Sequence, residues 1–265
     1  MSPRHGKLRI GTSGYQYDHW RGVVYPAEAP VSRWFPSYAA EFDTVEIDST
    51  FYRLPAAATF AAWRGRAPVG FVYAVKFSRF GTHMKKLLDP GGTIGAFMER
   101  ARELRGTLGP VLVHLPPRWR VNVARLEAFL EVASRYRGVR WAVEVRDGSW
   151  LREEVYAVLR RFRAALCLHD MIPAHPRVLT SGWTYLRFHG TAAGRAVDGA
   201  YTDGALRGAA RQIRRWLREG IDVYAYFNND WGGHAVFDAK RLRAMLADRT
   251  SEEEERTAAL GRARR

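Results

Sequence analysis

One cysteine, Cys167, occurs in 265 residues, which excludes an intrachain disulfide and any zinc site built on cysteine pairs. A lone thiol is expected to pack in the core as a small hydrophobe. Lysine is also scarce: only Lys7, Lys76, Lys85, Lys86 and Lys240 stand among 42 basic residues. No apolar run approaches about 18 residues, so no membrane-spanning helix is expected. Residues 1–9 lack the apolar segment of a signal peptide, and the expectation is a soluble, cytoplasmic protein without a membrane partner. Low-complexity segments, Pro/Ser-rich linkers and abrupt changes of charge are missing too, so nothing divides the chain into two domains. No P-loop, dinucleotide fingerprint or G-x-S-x-G elbow appears.

What the chain has in excess is arginine, giving a formal net charge of +15. A basic surface concentrates nucleic acid and phosphorylated ligands. Arginine and alanine enrichment also follows from a GC-rich genome, and charges on helix faces are mostly just solvated.

Eight short runs of alternating apolar residues end in polar side chains, and a helical pattern usually follows each. The strand candidates are Leu8 to Gly11, Thr44 to Asp48, Phe71 to Phe77, Val111 to Leu115, Trp141 to Val145, Ala165 to His169, Thr184 to Phe188 and Val223 to Phe227. Between them, spacings near 3.6 predict helices with one apolar face. Examples are Trp34, Phe35, Tyr38 and Phe42, then Ile94, Phe97, Met98 and Ala101, and later Leu206, Ala210, Ile213 and Leu217. The exception is Met171 to Gly182, where Pro173 and Pro176 exclude a regular helix. Strand-helix alternation of this length predicts a single (β/α)8 TIM-type barrel with an irregular sixth βα connection, a doubly wound open sheet being the alternative. The barrel is placed at 7–248, with a flexible start over 1–6 and a disordered charged tail over 249–265.

Side-chain parity then sorts the strand ends. In a barrel, outward positions pack on helices and inward ones fill the interior, with period two. Placing Val45, Ile47, Val75, Phe77, Val113, Leu115, Val143, Val145, Leu186 and Phe188 outward sends Glu46, Asp48, Lys76, His114, Glu144, Arg146, Arg187 and His189 inward. Ser13, Tyr226 and Asn228 follow them, Asp230 lies close by, and the sixth strand leaves His169 and Asp170 as alternatives. Burial of so many ionisable groups is unfavourable unless each is paired or functional. Carboxyl-terminal strand ends are where barrels carry their chemistry.

Several of these residues sit in longer motifs: GTSGY at Gly11–Tyr15, TVEIDSTFY at Thr44–Tyr52, GPVLVHLPP at Gly109–Pro117, AVEVRDGSW at Ala142–Trp150 and DVYAYFNND at Asp222–Asp230. Together, over about residues 8 to 247, they resemble the DUF72 or YecE-like family. The resemblance implies a TIM-type barrel and supplies no reaction. It covers Glu46, Glu144, Arg146, Asn228 and Asp230. The chain departs from the usual family pattern at Tyr15, where Trp is common, at Asp48, where Asn is common, and at His114, where Gln is common, so the resemblance does not carry the last two as site residues.

Two inward glutamates suit general acid/base work, one protonated and one ionised. Three cations beside them suit an anionic substrate. The leading expectation is therefore hydrolysis of an anionic, phosphate-containing small molecule or nucleic-acid fragment. Catalytic roles fall to Glu46, Glu144 and His189, and binding roles to Ser13, Lys76, Arg146, Arg187, Asn228 and Asp230, with Tyr15, Tyr52 and Trp150 as stacking surfaces. Two alternatives stay open. One is a nucleic-acid binder without turnover, using Arg207, Arg211, Arg214, Arg215 and Arg218; the other is a carbohydrate hydrolase using the same glutamates. No cofactor is expected. Residue types that hold divalent metals are present, but no compact His-x-x-x-His or cysteine pair fixes a site.

Overall fold

The structure is a computed structural model that describes residues 4–190 and 196–248; the expected tail over 249–265 lies outside the described residues. Eight parallel strands form the barrel: β1 (Leu8–Thr12), β2 (Thr44–Ile47), β3 (Val72–Lys76), β4 (Leu108–His114), β5 (Trp141–Glu144), β6 (Ala165–His169), β7 (Trp183–Phe188) and β8 (Asp222–Phe227). Each pairs with its sequence neighbour from β2 through β8, and β8 pairs with β1. Helices follow β1 to β5, β7 and β8, whereas β6 runs into β7 without one, so the proline-broken sixth connection is as expected. A two-stranded ribbon, Ala196–Val197 with Ala200–Tyr201, precedes the helix Asp203–Arg218.

Closure between β1 and β2 is narrow. One parallel bridge, Ser13 to Glu46, joins them, supported by the Gly14 N–H donating to the Glu46 carbonyl at 2.7 Å. The rest of the seam is bridged by a side chain: the Tyr38 hydroxyl accepts from the Thr12 N–H at 2.9 Å and donates to the Thr44 carbonyl at 3.0 Å. This backbone approach explains Gly11, because a Cβ there would lie 2.3 Å from the Thr44 oxygen. Residues 4–6, expected to fray, are tied to the opposite end of the barrel. The Gly6 N–H donates to the Leu217 carbonyl at 2.8 Å, and Arg4 pairs with buried Asp222 at 2.7 Å.

Two separate apolar clusters show the parity. Val45, Ile47, Val75, Phe77, Val113, Leu115, Val143, Val145 and Leu186 join the shell between sheet and helices. Inside the barrel lie Ala74, Leu112, Ala142, Ala165, Cys167, Trp183, Tyr185 and Tyr226. Small residues from β3, β5 and β6 face bulky tyrosines from β7 and β8, so side chains of complementary size fill the interior. Cys167 is one of those small residues, fully buried. Because Ala165 and Cys167 face in, so does His169. Asp170, just past the strand, instead accepts from the His189 N–H at 3.0 Å and from the Tyr201 hydroxyl.

Candidate functional site

Above the tyrosine layer, the strand ends gather around one guanidinium. Arg187 is 2 % exposed. Its Nη1 donates to Glu144 Oε2 at 2.8 Å, and its Nη2 to Glu46 Oε1 at 2.7 Å and to Ser13 Oγ at 3.0 Å. Both oxygens of Glu46 are engaged: Ser13 also donates to Oε1, and Tyr185 donates to Oε2. Glu144 takes Arg146 Nε on its other oxygen. Burial alone would raise the Glu144 pKa, but the guanidiniums of Arg187 and Arg146 more than offset it and hold the carboxyl well below the ordinary range. Both glutamates thus converge on one cation, and Glu144 is held ionised.

The lip is built from residues one step further along. Lys76 Nζ lies 3.4 Å from Asp48 and 4.7 Å from the Phe51 ring centroid. Its backbone is bracketed by the buried Thr50 hydroxyl, which accepts from the Lys76 N–H at 3.1 Å and donates to its carbonyl at 2.7 Å. Three carboxylates (Glu46, Asp48, Glu144) are therefore matched by three cations (Lys76, Arg146, Arg187). Paired burial of this kind removes the penalty of isolated charge but stabilises the fold little in net terms.

The histidines beside them are neutral. Burial pushes His114 and His189 each down to about 2, against the opposing pull of Glu144. Asn228 Oδ1 accepts from Arg187 at 3.3 Å, so its amide nitrogen donates to His189 Nδ1 at 3.1 Å. That fixes the His189 proton on Nε2. This Nε2 and His114 Nε2 each lie 3.9 Å from Glu144 Oε1, and neither nitrogen has a hydrogen-bond partner within the protein. His83, on the π-helical turn Phe80–Met84, packs edge-on against His114. Its half-burial, with Arg79 and Lys76 nearby, lowers it to about 4. Among the described residues, no group of three His, Cys, Asp or Glu side chains is placed to hold a metal ion.

Glu46, Glu144, Arg187, Ser13, Arg146, Lys76, His189 and Asn228 thus come together as parity requires. Asp230 lies at the rim, 3.5 Å from His19, with its carbonyl accepting from Trp20. The three stacking residues do not join them. Tyr15 is buried in the outer shell against Phe35 and Tyr38, because the turn at Gly14 rotates it out of the mouth. Trp150 is fully buried and donates to the Trp119 carbonyl. Tyr52 is 74 % exposed on a single-turn helix, packed on the edge of Phe51. Of the basic helix face, Arg214 is buried and donates to the Met245 carbonyl, while Arg207, Arg211, Arg215 and Arg218 are exposed, Arg207 and Arg215 pairing with Asp203 and Glu219 on the same helix. Tyr185 was missed although it shares parity with Arg187 two residues on. Thr50 left no signal, since a buried threonine one turn beyond a strand has no period.

Comparison with known proteins adds three findings. A family model described as "Protein of unknown function DUF72" matches residues 9–260. The chain is 23 % identical over 270 residues to the UPF0759 protein YunF of Bacillus subtilis strain 168, covering 90 % of this chain and 94 % of that one. A crystal structure of a DUF72 family protein from Thermotoga maritima MSB8 superposes with a TM-score of 0.79 at 26 % identity, covering 91 % of this chain and all of that one. One from Enterococcus faecalis V583 gives 0.74 at 21 % identity, covering 92 % and 98 % respectively, and bears on the fold alone.

Proposed function

The chain belongs to the DUF72 family, whose function is unassigned, and from that premise we propose that it is an enzyme hydrolysing an anionic, phosphate-containing substrate at the carboxyl-terminal mouth of the barrel. The observation that carries the reading is the trio of Glu144 Oε1, His114 Nε2 and His189 Nε2, with both imidazole nitrogens unpaired at 3.9 Å from the carboxylate. An oxygen about 2.8 Å from the carboxylate and from either nitrogen would see the two at about a right angle, a comfortable geometry for one shared water or substrate oxygen. His189, with its proton fixed on Nε2, donates to that oxygen.

Glu144 is the general base. In the resting protein its carboxylate is a weak base, but a phosphate brought beside Arg146 adds negative charge and raises its basicity. The water proton passes to Glu144, the oxygen attacks phosphorus, and the ester P–O bond breaks towards Lys76, whose ammonium protonates the leaving oxygen. Lys76 and Arg146 at the lip neutralise the anion. Glu46 positions Arg187 rather than touching substrate, because both its oxygens are engaged. The carbohydrate alternative has less support, since it needs both glutamates as reacting groups and both oxygens of Glu46 are engaged by Ser13, Arg187 and Tyr185. A nucleic-acid binder has less support as well, since its basic face is partly buried and partly self-paired.

A panel of phosphate monoesters and diesters tests the reading. Turnover of at least one is expected, with Glu144→Gln lowering kcat by about 10²-fold or more at little-changed KM, and Lys76→Ala both lowering kcat and raising KM. Turnover by Glu144→Gln equal to the parent protein would remove the proposed base.

A further inference from the structure

The absent sixth helix leaves a cavity of about 310 Å³ beside the mouth, at the lower end of the range typical of small-molecule sites. One wall is the outward side of β6 and β7: Leu168, Leu186 and Phe188. The opposite wall is the face of the helix Asp203–Arg218 that carries Gly204, Ala205, Gly208 and Ala209. In a regular barrel that face would pack against the missing helix. The glycines are not demanded by their neighbours. A Cβ at Gly204 would meet nothing within 4 Å, and one at Gly208 only the tip of Arg211 at 3.9 Å. Gly208, beyond the first turn of the helix, weakens it relative to alanine, so the opening is kept at a cost to the fold.

The lining residue His175 carries a buried polar atom without a partner. His175 donates from Nδ1 to the Pro176 carbonyl at 2.9 Å, so its unpartnered, buried Nε2 is a lone-pair acceptor. Gln212 adds an amide with both donor and acceptor. Asp170 and Arg177 bring opposite charges to the wall and His175 is neutral, so no net charge calls for an ion there. An apolar wall on β6 and β7, with mixed donors and acceptors over the rest of the lining, suits a flat, uncharged, hydrogen-bonding ring.

We propose that this cavity is a second binding site, which takes a nucleobase-class heterocycle between β6–β7 and the small-residue face of the helix Asp203–Arg218. Stacking lies on Leu168, Leu186 and Phe188, and the ring edge meets His175 and Gln212. The site is tested with nucleosides, which carry no phosphate, so its failure and that of the hydrolase reading are separable.

Adenosine, guanosine, cytidine and uridine are titrated into the full chain by calorimetry and saturation-transfer NMR. Saturable binding of at least one is expected. Gly208→Leu should weaken it by about tenfold or more by filling the slot, and Gly208→Ala should leave it within about threefold. Gln212→Leu, which keeps the helix, should weaken binding without lowering Tm, and so guards against a misfolded Gly208→Leu. Absence of saturable binding by all four nucleosides, or binding unchanged in both Gly208→Leu and Gln212→Leu, would overturn the proposal.

Discussion

Replacing Arg187 with methionine keeps most of the side-chain volume and removes the one cation shared by Glu46 and Glu144. Both carboxylates are fully buried, so the change leaves Glu46 without an ionic partner and Glu144 with Arg146 alone. Removing one partner of a buried pair costs about 3–5 kcal/mol, and here that figure is a lower bound at neutral pH. The pH dependence is the sharper readout. In the parent protein the Glu144 pKa is depressed, with Arg187 the leading opponent of burial. Its contribution is therefore present above the unfolded value of about 4.3 and lost as pH falls. Without Arg187, burial of Glu144 is countered chiefly by Arg146, since His114 and His189 stay uncharged, so its folded pKa rises above the unfolded one. Stability of the variant is then greatest below the unfolded pKa and lost as pH rises through the folded one. Urea titrations followed by circular dichroism at several pH values between 4.5 and 8 should show a penalty that shrinks towards acid, by up to about 1.4 kcal/mol per pH unit for Glu144. The triple variant Glu46→Gln/Glu144→Gln/Arg187→Met should recover much of the loss at neutral pH. A penalty below about 1 kcal/mol, or one independent of pH, would refute the view of Arg187 as the charge that makes this site foldable.

Acid stability of the parent protein follows from the neutral histidines. His114 and His189 fall from the ordinary value to about 2, so the unfolded chain binds protons that the folded one refuses; stability is full above about pH 6.5 and declines below it, by up to about 1.4 kcal/mol per pH unit per group. His114→Phe should flatten the slope between about pH 4 and 6 by one group's worth, and an unchanged slope would count against a neutral His114. Gly11→Ala places a Cβ 2.3 Å from the Thr44 carbonyl and should lower stability by about 2 kcal/mol or more, read by thermal melting; an unaltered Tm would mean that the β1–β2 seam is looser than the hydrogen bonds through Tyr38 indicate.

The barrel was legible because period-two alternation needs only the identity of each residue. Val45 with Ile47, or Val143 with Val145, point one way, and Glu46 and Glu144 must then point the other. Pro173 and Pro176 marked the missing helix for an equally local reason. Partnership was not legible. That Arg187 would bind both glutamates, rather than stay open for a substrate, depends on reach across the barrel from β7 to β2 and β5, which no local pattern encodes. Aromatic roles failed for a related reason: Tyr15 and Trp150 lie in motifs beside the mouth, but the turn at Gly14 and the short helix Gly148–Trp150 direct them into the shell. The cavity left by the missing helix was invisible because vacancy between two elements has no sequence signature of its own.

The most direct measurement of the central claim is calorimetric titration of the parent protein and Lys76→Ala/Arg146→Ala with inorganic phosphate at low ionic strength. The account predicts one saturable site in the parent protein, weakened by about tenfold or more, or about 1.4 kcal/mol, in the double variant. Absence of saturable binding at millimolar phosphate, or equal affinity in a folded double variant, would contradict an anion site at the mouth.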